Sequence, residues 1–138
     1  MTRIVAGSAK GRTLAVPKSG TRPTSERVRE ALFSRLDHMN VLDGATVLDL
    51  YAGTGALGLE ALSRGGAHAT LVEKASAAAR VASAHVRSTG LPARVVTADA
   101  RTYLGARNGE ALAGDIDLVF IEPPYDIAEA DLTTCLLY

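Results

Sequence analysis

The 138 residues suit one domain, and at 47% hydrophobic the chain can bury a real core. Formal net charge is zero, so nothing global points to nucleic acid; a single cysteine, Cys135, excludes an internal disulfide framework, and no Cys/His cluster suggests zinc or another metal. No apolar run is long enough to span a bilayer, and no apolar segment follows the charged N-terminus, so a cytoplasmic protein is expected.

The charge is unevenly spread. Residues 1–30 carry Arg3, Lys10, Arg12, Lys18, Arg22, Arg27 and Arg29 against Glu26 and Glu30, a net of +5, which leaves the remaining 108 residues at −5. A basic N-terminal arm ahead of an acidic body suits either a nucleic-acid contact or a solvated tail. His38, His68 and His85 are scattered and read as ordinary surface or boundary residues.

In chain order, Met1 to Ala6 and Thr13 to Val16 read as two short strands around a turn at Gly11. Arg22-Pro23-Thr24-Ser25 starts a helix, with Thr24 or Ser25 as cap and Val28, Ala31, Leu32, Leu36 and Met39 at helical spacing. Thr46 to Leu50 is a short apolar strand. Ala52 to Gly58 is a glycine-rich turn entering a helix that Arg64-Gly65-Gly66 ends. Ala69 to Glu73 is a second strand, and Ala75 to Ser88 an alanine-rich helix stopped by Gly90. Ala93 to Thr97 and Asp117 to Ile121 are further strands, with a short helix around Tyr103-Leu104 between them and another helix starting at Ala128. This alternation predicts an α/β fold: a mostly parallel sheet with helices on both faces.

Gly53-Thr54-Gly55-Ala56-Leu57-Gly58 fits G-x-G-x-x-G between a strand and a helix. Alone, this pattern also fits nicotinamide cofactors. Asp49 ahead of the turn argues otherwise. A carboxylate there can accept bonds from an ammonium group, but sits poorly beside a pyrophosphate. Leu48-Asp49-Leu50-Tyr51-Ala52-Gly53-Thr54-Gly55 resembles the D-x-(F/Y)-A-G-(S/T)-G signature of class I methyltransferases, which use S-adenosylmethionine. Glu73, ending the second strand, is placed to hold ribose hydroxyls, and Asp99-Ala100 follows the third, where methyltransferases contact adenine. Each acid also has a plain structural use: Asp49 could cap the turn, Glu73 the next helix, and Asp99 the helix after it. In open parallel sheets, ligands bind beyond the strand C-termini, where all of these features fall.

The fourth strand runs into Ile121-Glu122-Pro123-Pro124-Tyr125. The prolines fix φ and remove two backbone donors, so a side-chain oxygen and a carbonyl can face an incoming amino group. Tyr125 offers a flat face for a base. The pattern resembles the (D/N)-P-P-(Y/F/W) motif of methyltransferases that modify exocyclic amines of nucleobases, with Glu122 where that motif has Asp or Asn.

Arg3-Ile4-Val5-Ala6-Gly7, Lys10-Gly11-Arg12-Thr13-Leu14, Arg22 to Phe33 and Leu50 to Arg64 together resemble the bacterial 16S ribosomal RNA guanine-N2 methyltransferases. The resemblance implies a Rossmann-like class I methyltransferase domain over residues 23–138, behind a basic arm, residues 1–22, that contacts RNA. It implies S-adenosylmethionine as cofactor, with Thr24, Asp49, Tyr51, Ala52, Gly53, Gly55, Glu73, Asp99 and Ala100 around it. Catalysis falls to Glu122, Pro123, Pro124 and Tyr125. Arg3, Lys10, Arg12, Arg22 and Arg27 are the expected RNA contacts, and 16S rRNA or a small-subunit assembly intermediate the expected partner.

Two departures bear on activity. Glu122 adds a methylene where positioning controls rate. The chain also stops soon after the fourth strand, whereas the family's fold has three more strands, including an antiparallel edge hairpin. An exposed sheet edge is then expected, and with it a possible homodimer. A DNA or other amino methyltransferase using the same site, and a degenerate domain that binds cofactor or RNA without catalysis, both remain open.

Overall fold

The computed structural model describes residues 2–15, 26–107 and 116–123. The helix start at Thr24 or Ser25, the helix expected from Ala128, and Pro124 and Tyr125 lie outside these residues.

Four apolar runs become parallel strands: β3 (Thr46–Leu50), β4 (His68–Glu73), β5 (Ala93–Thr97) and β6 (Leu118–Ile121). Their order in the sheet is β5-β4-β3-β6. β3 and β4 are central and covered on both sides, so they read as near-continuous apolar runs rather than alternating ones. Side chains alternate between the faces. Val47, Ala69, Leu71 and Phe120 join one core cluster, while Leu48, Leu50 and Val72 join another across the sheet.

Helices α2 (Ala56–Ser63) and α3 (Ser76–Thr89) supply the first cluster with Leu57, Leu59, Leu62 and Ala82; α4 (Ala100–Arg107) supplies the second with Ala100 and Leu104. Helices therefore cover both faces, as the alternation predicts. The order reverses at β3, with β4 on one side and β6 on the other. In open sheets of this kind, ligands bind beyond the C-terminal ends of the strands at such a reversal, here β3 and β6.

Helix α1 (Glu26–His38) lies on the α2 side. Leu32 and Leu36 of the expected stripe pack half-buried against the core, but the rest of the inward face differs from the expected one. Val28 and Met39 are 55% and 58% exposed and Ala31 is exposed, while Arg29 and Phe33 are fully buried. Two tertiary contacts turn the helix this way. Phe33 packs on Phe120 of β6 with ring centroids 5.6 Å apart, and Arg29 Nε lies 3.5 Å from the buried Glu60 carboxylate of α2. Spacing alone ranks an arginine as outward-facing, and only the partner acid reverses that.

The N-terminal residues form the expected hairpin, with β1 (Thr2–Arg3) antiparallel to β2 (Thr13–Leu14). It is part of the core, since Ile4, Ala9 and Leu14 are buried. The hairpin also docks by hydrogen bonds on one turn of α2. The Glu60 carboxylate accepts the Val5 and Ala6 N–H groups at 2.8 and 3.1 Å. Ser63 Oγ accepts the Ala9 N–H at 2.9 Å and donates to the Ala6 carbonyl at 2.6 Å, while the Ser63 carbonyl accepts the Ser8 N–H at 2.7 Å. Gly7 makes this approach possible: its φ is +90°, and a Cβ there would fall 1.7 Å from the Ser63 carbonyl oxygen.

Candidate active site

The glycine turn leaves β3 at Tyr51, whose φ of +59° is rare for a residue with a bulky side chain. Its backbone is pinned from several sides. The Ala52 N–H donates to the Val72 carbonyl of β4, and the Gly55 N–H to the Ala52 carbonyl, each at 2.9 Å. The Gly53 N–H donates to Glu73 Oε1 at 2.8 Å, and the Gly58 N–H to Asp49 Oδ2 at 3.0 Å. Gly58 carries a packing demand, because a Cβ there would meet Leu71 Cδ2 at 2.3 Å. The third glycine thus brings α2 down onto β4.

Asp49 is buried, and its carboxyl is pushed up to about 7. Burial is the main cause; the Gly58 N–H opposes it, and the charges of Glu122 and Glu73 raise it further. Acids from the ends of β3, β4 and β6 therefore share one electrostatic neighbourhood. That donor set fits a cation. It does not fit a pyrophosphate, which three carboxylates would repel.

Glu73 does two structural tasks here, since Oε2 also accepts the Ala75 N–H at 2.7 Å. Each carboxylate oxygen has two lone pairs, which leaves acceptor capacity for hydroxyl donors. Asp99 caps α4: Oδ2 accepts from the Thr102 N–H at 3.3 Å and from its hydroxyl at 3.4 Å. Ala100 is buried with Leu104 and Val72, so what it can offer a ligand is backbone. Glu122 is exposed and Pro123 half-buried just past β6. Thr24, Arg22, Pro124 and Tyr125 fall outside the described residues.

Arg3, Lys10, Arg12 and Arg27 are all exposed. Arg3 reaches Glu26 at 3.1 Å, which places it near Arg27 in the first turn of α1. Arg12 instead donates to the Ser88 carbonyl near the end of α3, at 3.3 Å. Among the described residues, no group of three His, Cys, Asp or Glu is arranged to hold a metal ion, and no helix is long and apolar enough to cross a membrane.

Some residues around the site escape a reading by motif. Glu60 looks like a solvent-facing acid in Leu57-Gly58-Leu59-Glu60-Ala61-Leu62, yet it is completely buried. The apolar residues surrounding it on every helical face were the available signal. His85 is not a surface or boundary residue. It is 5% exposed on α3, held between the Ala15 N–H and the Thr54 carbonyl, and no sequence pattern marks it.

Sheet order, helices on both faces and acids at adjacent strand ends define a Rossmann-like class I α/β protein. A family model described as "Conserved hypothetical protein 95" matches residues 2–137, and the chain belongs to this family of ribosomal RNA methyltransferases. It is 42% identical over 125 residues to the ribosomal RNA small subunit methyltransferase D of Escherichia coli K12, covering 89% of this chain and 60% of that one. The protein of the same name from Haemophilus influenzae is 33% identical over 139 residues, covering 98% of this chain and 69% of that one. The structure of a hypothetical protein from Thermus thermophilus, TTHA0928, superposes with a TM-score of 0.86 at 40% identity, covering 99% of this chain and 77% of that one. The chain thus spans about three-fifths of the length of the E. coli relative.

Proposed function

We propose that this chain uses S-adenosylmethionine to methylate the exocyclic N2 amine of a guanine in small-subunit ribosomal RNA. The observation that carries this reading is the place of Asp49, Glu73 and Glu122 at or beside the C-terminal ends of three adjacent strands, around the switch point of the sheet. The names of the relatives supply the substrate class.

When bound, the cofactor supplies a methyl group made electrophilic by its sulfonium. Asp49 would face the cofactor's ammonium, and Glu73 its ribose hydroxyls. The guanine amine is a poor nucleophile because its lone pair is delocalised into the ring. No prior proton removal is needed; one N–H proton would pass to the Glu122 carboxylate, or to water, once the methyl has been received. The Glu122 carboxylate and the Pro123 carbonyl would accept the amine's N–H groups, so that the lone pair localises toward the methyl. Holding both reactants in this geometry supplies much of the rate. Tyr125 would stack on a base splayed out of its helix. Arg3, Lys10, Arg12, Arg22 and Arg27 would meet phosphates.

The test is methyl transfer from labelled cofactor to unmodified small ribosomal subunits, naked RNA and DNA, with mapping of the modified base. Label at guanine N2 in the small-subunit RNA is expected; label confined to DNA, or none at all, overturns the reading. In the same assay Glu122→Asp should raise turnover, by up to about a hundredfold, with little change in cofactor affinity, because its carboxylate returns to the position the motif normally uses. Glu122→Ala should abolish turnover and still bind cofactor.

A further inference from the structure

His85 follows Ala78, Ala79 and Ala82 on the buried stripe of α3, one turn beyond Ala82. Those small side chains bring the helix close to the glycine turn: Ala82 Cβ is 3.7 Å from where a Cβ on Gly55 would stand. The imidazole bridges two segments remote in sequence. Nε2 lies 2.8 Å from the Ala15 backbone nitrogen, and Nδ1 lies 2.8 Å from the Thr54 carbonyl oxygen. An amide N–H can only donate and a carbonyl can only accept. The ring is therefore neutral, with its proton on Nδ1 and a lone pair on Nε2.

Three side chains thus pin the turn: Glu73 at the Gly53 N–H, Asp49 at the Gly58 N–H, and His85 at the Thr54 carbonyl. The two acids belong to the site already described. His85 faces away from that role and toward the hairpin, whose chain continues from Ala15 to the basic residues Arg22 and Arg27. A second tie runs beside it, from Arg12 to the Ser88 carbonyl of the same helix.

We propose that His85 is a positioning residue that couples the N-terminal hairpin to the glycine turn, so that the seating of the hairpin sets the turn's readiness for cofactor. The cofactor part rests on the reading of the turn given under Proposed function; the mechanical link does not. Coupling of this kind is reciprocal, so cofactor binding would order the hairpin in return.

Three variants test the link in the full chain. His85→Phe keeps an aromatic ring, slightly larger, and removes both bonds. His85→Gln offers one donor and one acceptor on a planar amide. Ala15→Pro deletes the hairpin's donor while leaving the imidazole in place, and fixes φ at residue 15. Hydrogen exchange at the amides of residues 53–56 and calorimetric affinity for S-adenosylhomocysteine are measured on each, and on the double variant of Ala15→Pro with His85→Phe. Ala15→Pro and His85→Phe should each speed exchange and weaken affinity by about three- to tenfold, the size of one missing buried hydrogen bond. The double variant should be no worse than the more severe single one. His85→Gln should stay within about twofold of wild type, which loss of packing alone would not predict. Unchanged exchange in Ala15→Pro, or effects that multiply in the double variant, overturn the coupling. If the wild type binds no S-adenosylhomocysteine, the cofactor reading falls, and exchange at residues 53–56 alone decides the link.

Discussion

Asp49 shows how one residue carries both a structural cost and a chemical use. It is buried on β3, and the two charges that raise its pKa, Glu122 and Glu73, are also acids. Its folded pKa of about 7 stands above the ordinary 3.8. The stability linked to its proton is therefore fully present below pH 3.8 and lost as pH rises through about 7. The full effect is on the order of 4 kcal/mol. Denaturant unfolding of the ligand-free protein should show the wild type losing stability between about pH 4 and pH 7 relative to Asp49→Asn, whose amide cannot ionise. The same substitution should weaken binding of S-adenosylhomocysteine, because a neutral amide answers an ammonium group less well than a carboxylate. Equal pH profiles for the two proteins would remove the buried acid from this account. The motif located Asp49; its burial, which makes the acid costly, came from the packing of α2 over β3.

At the scale of elements, α2 is the hub. Its eight residues support the glycine turn at one end and the hairpin at the other. Glu60 is the central tie: it receives the Val5 and Ala6 N–H groups, faces Arg29, and accepts from Arg64 Nε at 2.9 Å. Arg64 in turn lies over the Phe33 ring, 5.3 Å from its centroid. Removing one partner of a buried ion pair leaves the other uncompensated, at about 3–5 kcal/mol. Glu60→Ala should therefore lower stability by that order in thermal or denaturant unfolding, whereas Glu30→Ala, on the exposed side of α1, should change it by less than about 0.5 kcal/mol. A small loss in Glu60→Ala would show that the hairpin docks without this network. The strands and helices were legible as periods of apolar residues, and Gly90 was legible as a helix stop, observed at φ +68°. The facing of α1 was not, because it depends on Glu60, thirty-one positions further along the chain than Arg29.

For the whole molecule, the uneven charge is partly neutralised within the fold. Arg29 is buried against Glu60, and Arg3 pairs with Glu26. Lys10 and Arg12 stay exposed on a hairpin that is itself anchored by Ile4, Ala9 and Leu14. A basic surface on a rigid mount suits phosphate contacts better than a loose tail, since less freedom is lost on binding. Replacing Arg3, Lys10 and Arg12 together with Ala should weaken RNA binding. It should also flatten the log–log salt dependence by roughly one unit or slightly less for each phosphate no longer neutralised. The surface ion pair at Arg3 contributes little, so the fold should persist. Unchanged RNA affinity and salt slope would reduce the hairpin to a structural role.

The sequence by itself determined the strands, the glycine turn, and the acids at the strand ends. Those depend on local periods, on backbone freedom at glycine, and on a motif contiguous along the chain. Tertiary structure decided which polar residues face inward. Arg29, Glu60, Ser63 and His85 look solvent-facing one at a time, because burying any of them alone would strand a charge or a donor. Each becomes tolerable only when its partner arrives from a remote segment: Glu60 for Arg29, the hairpin's amides for Glu60 and Ser63, and the Ala15 N–H with the Thr54 carbonyl for His85. No pattern within a single element records those pairings, since they exist only after the sheet has brought the elements together.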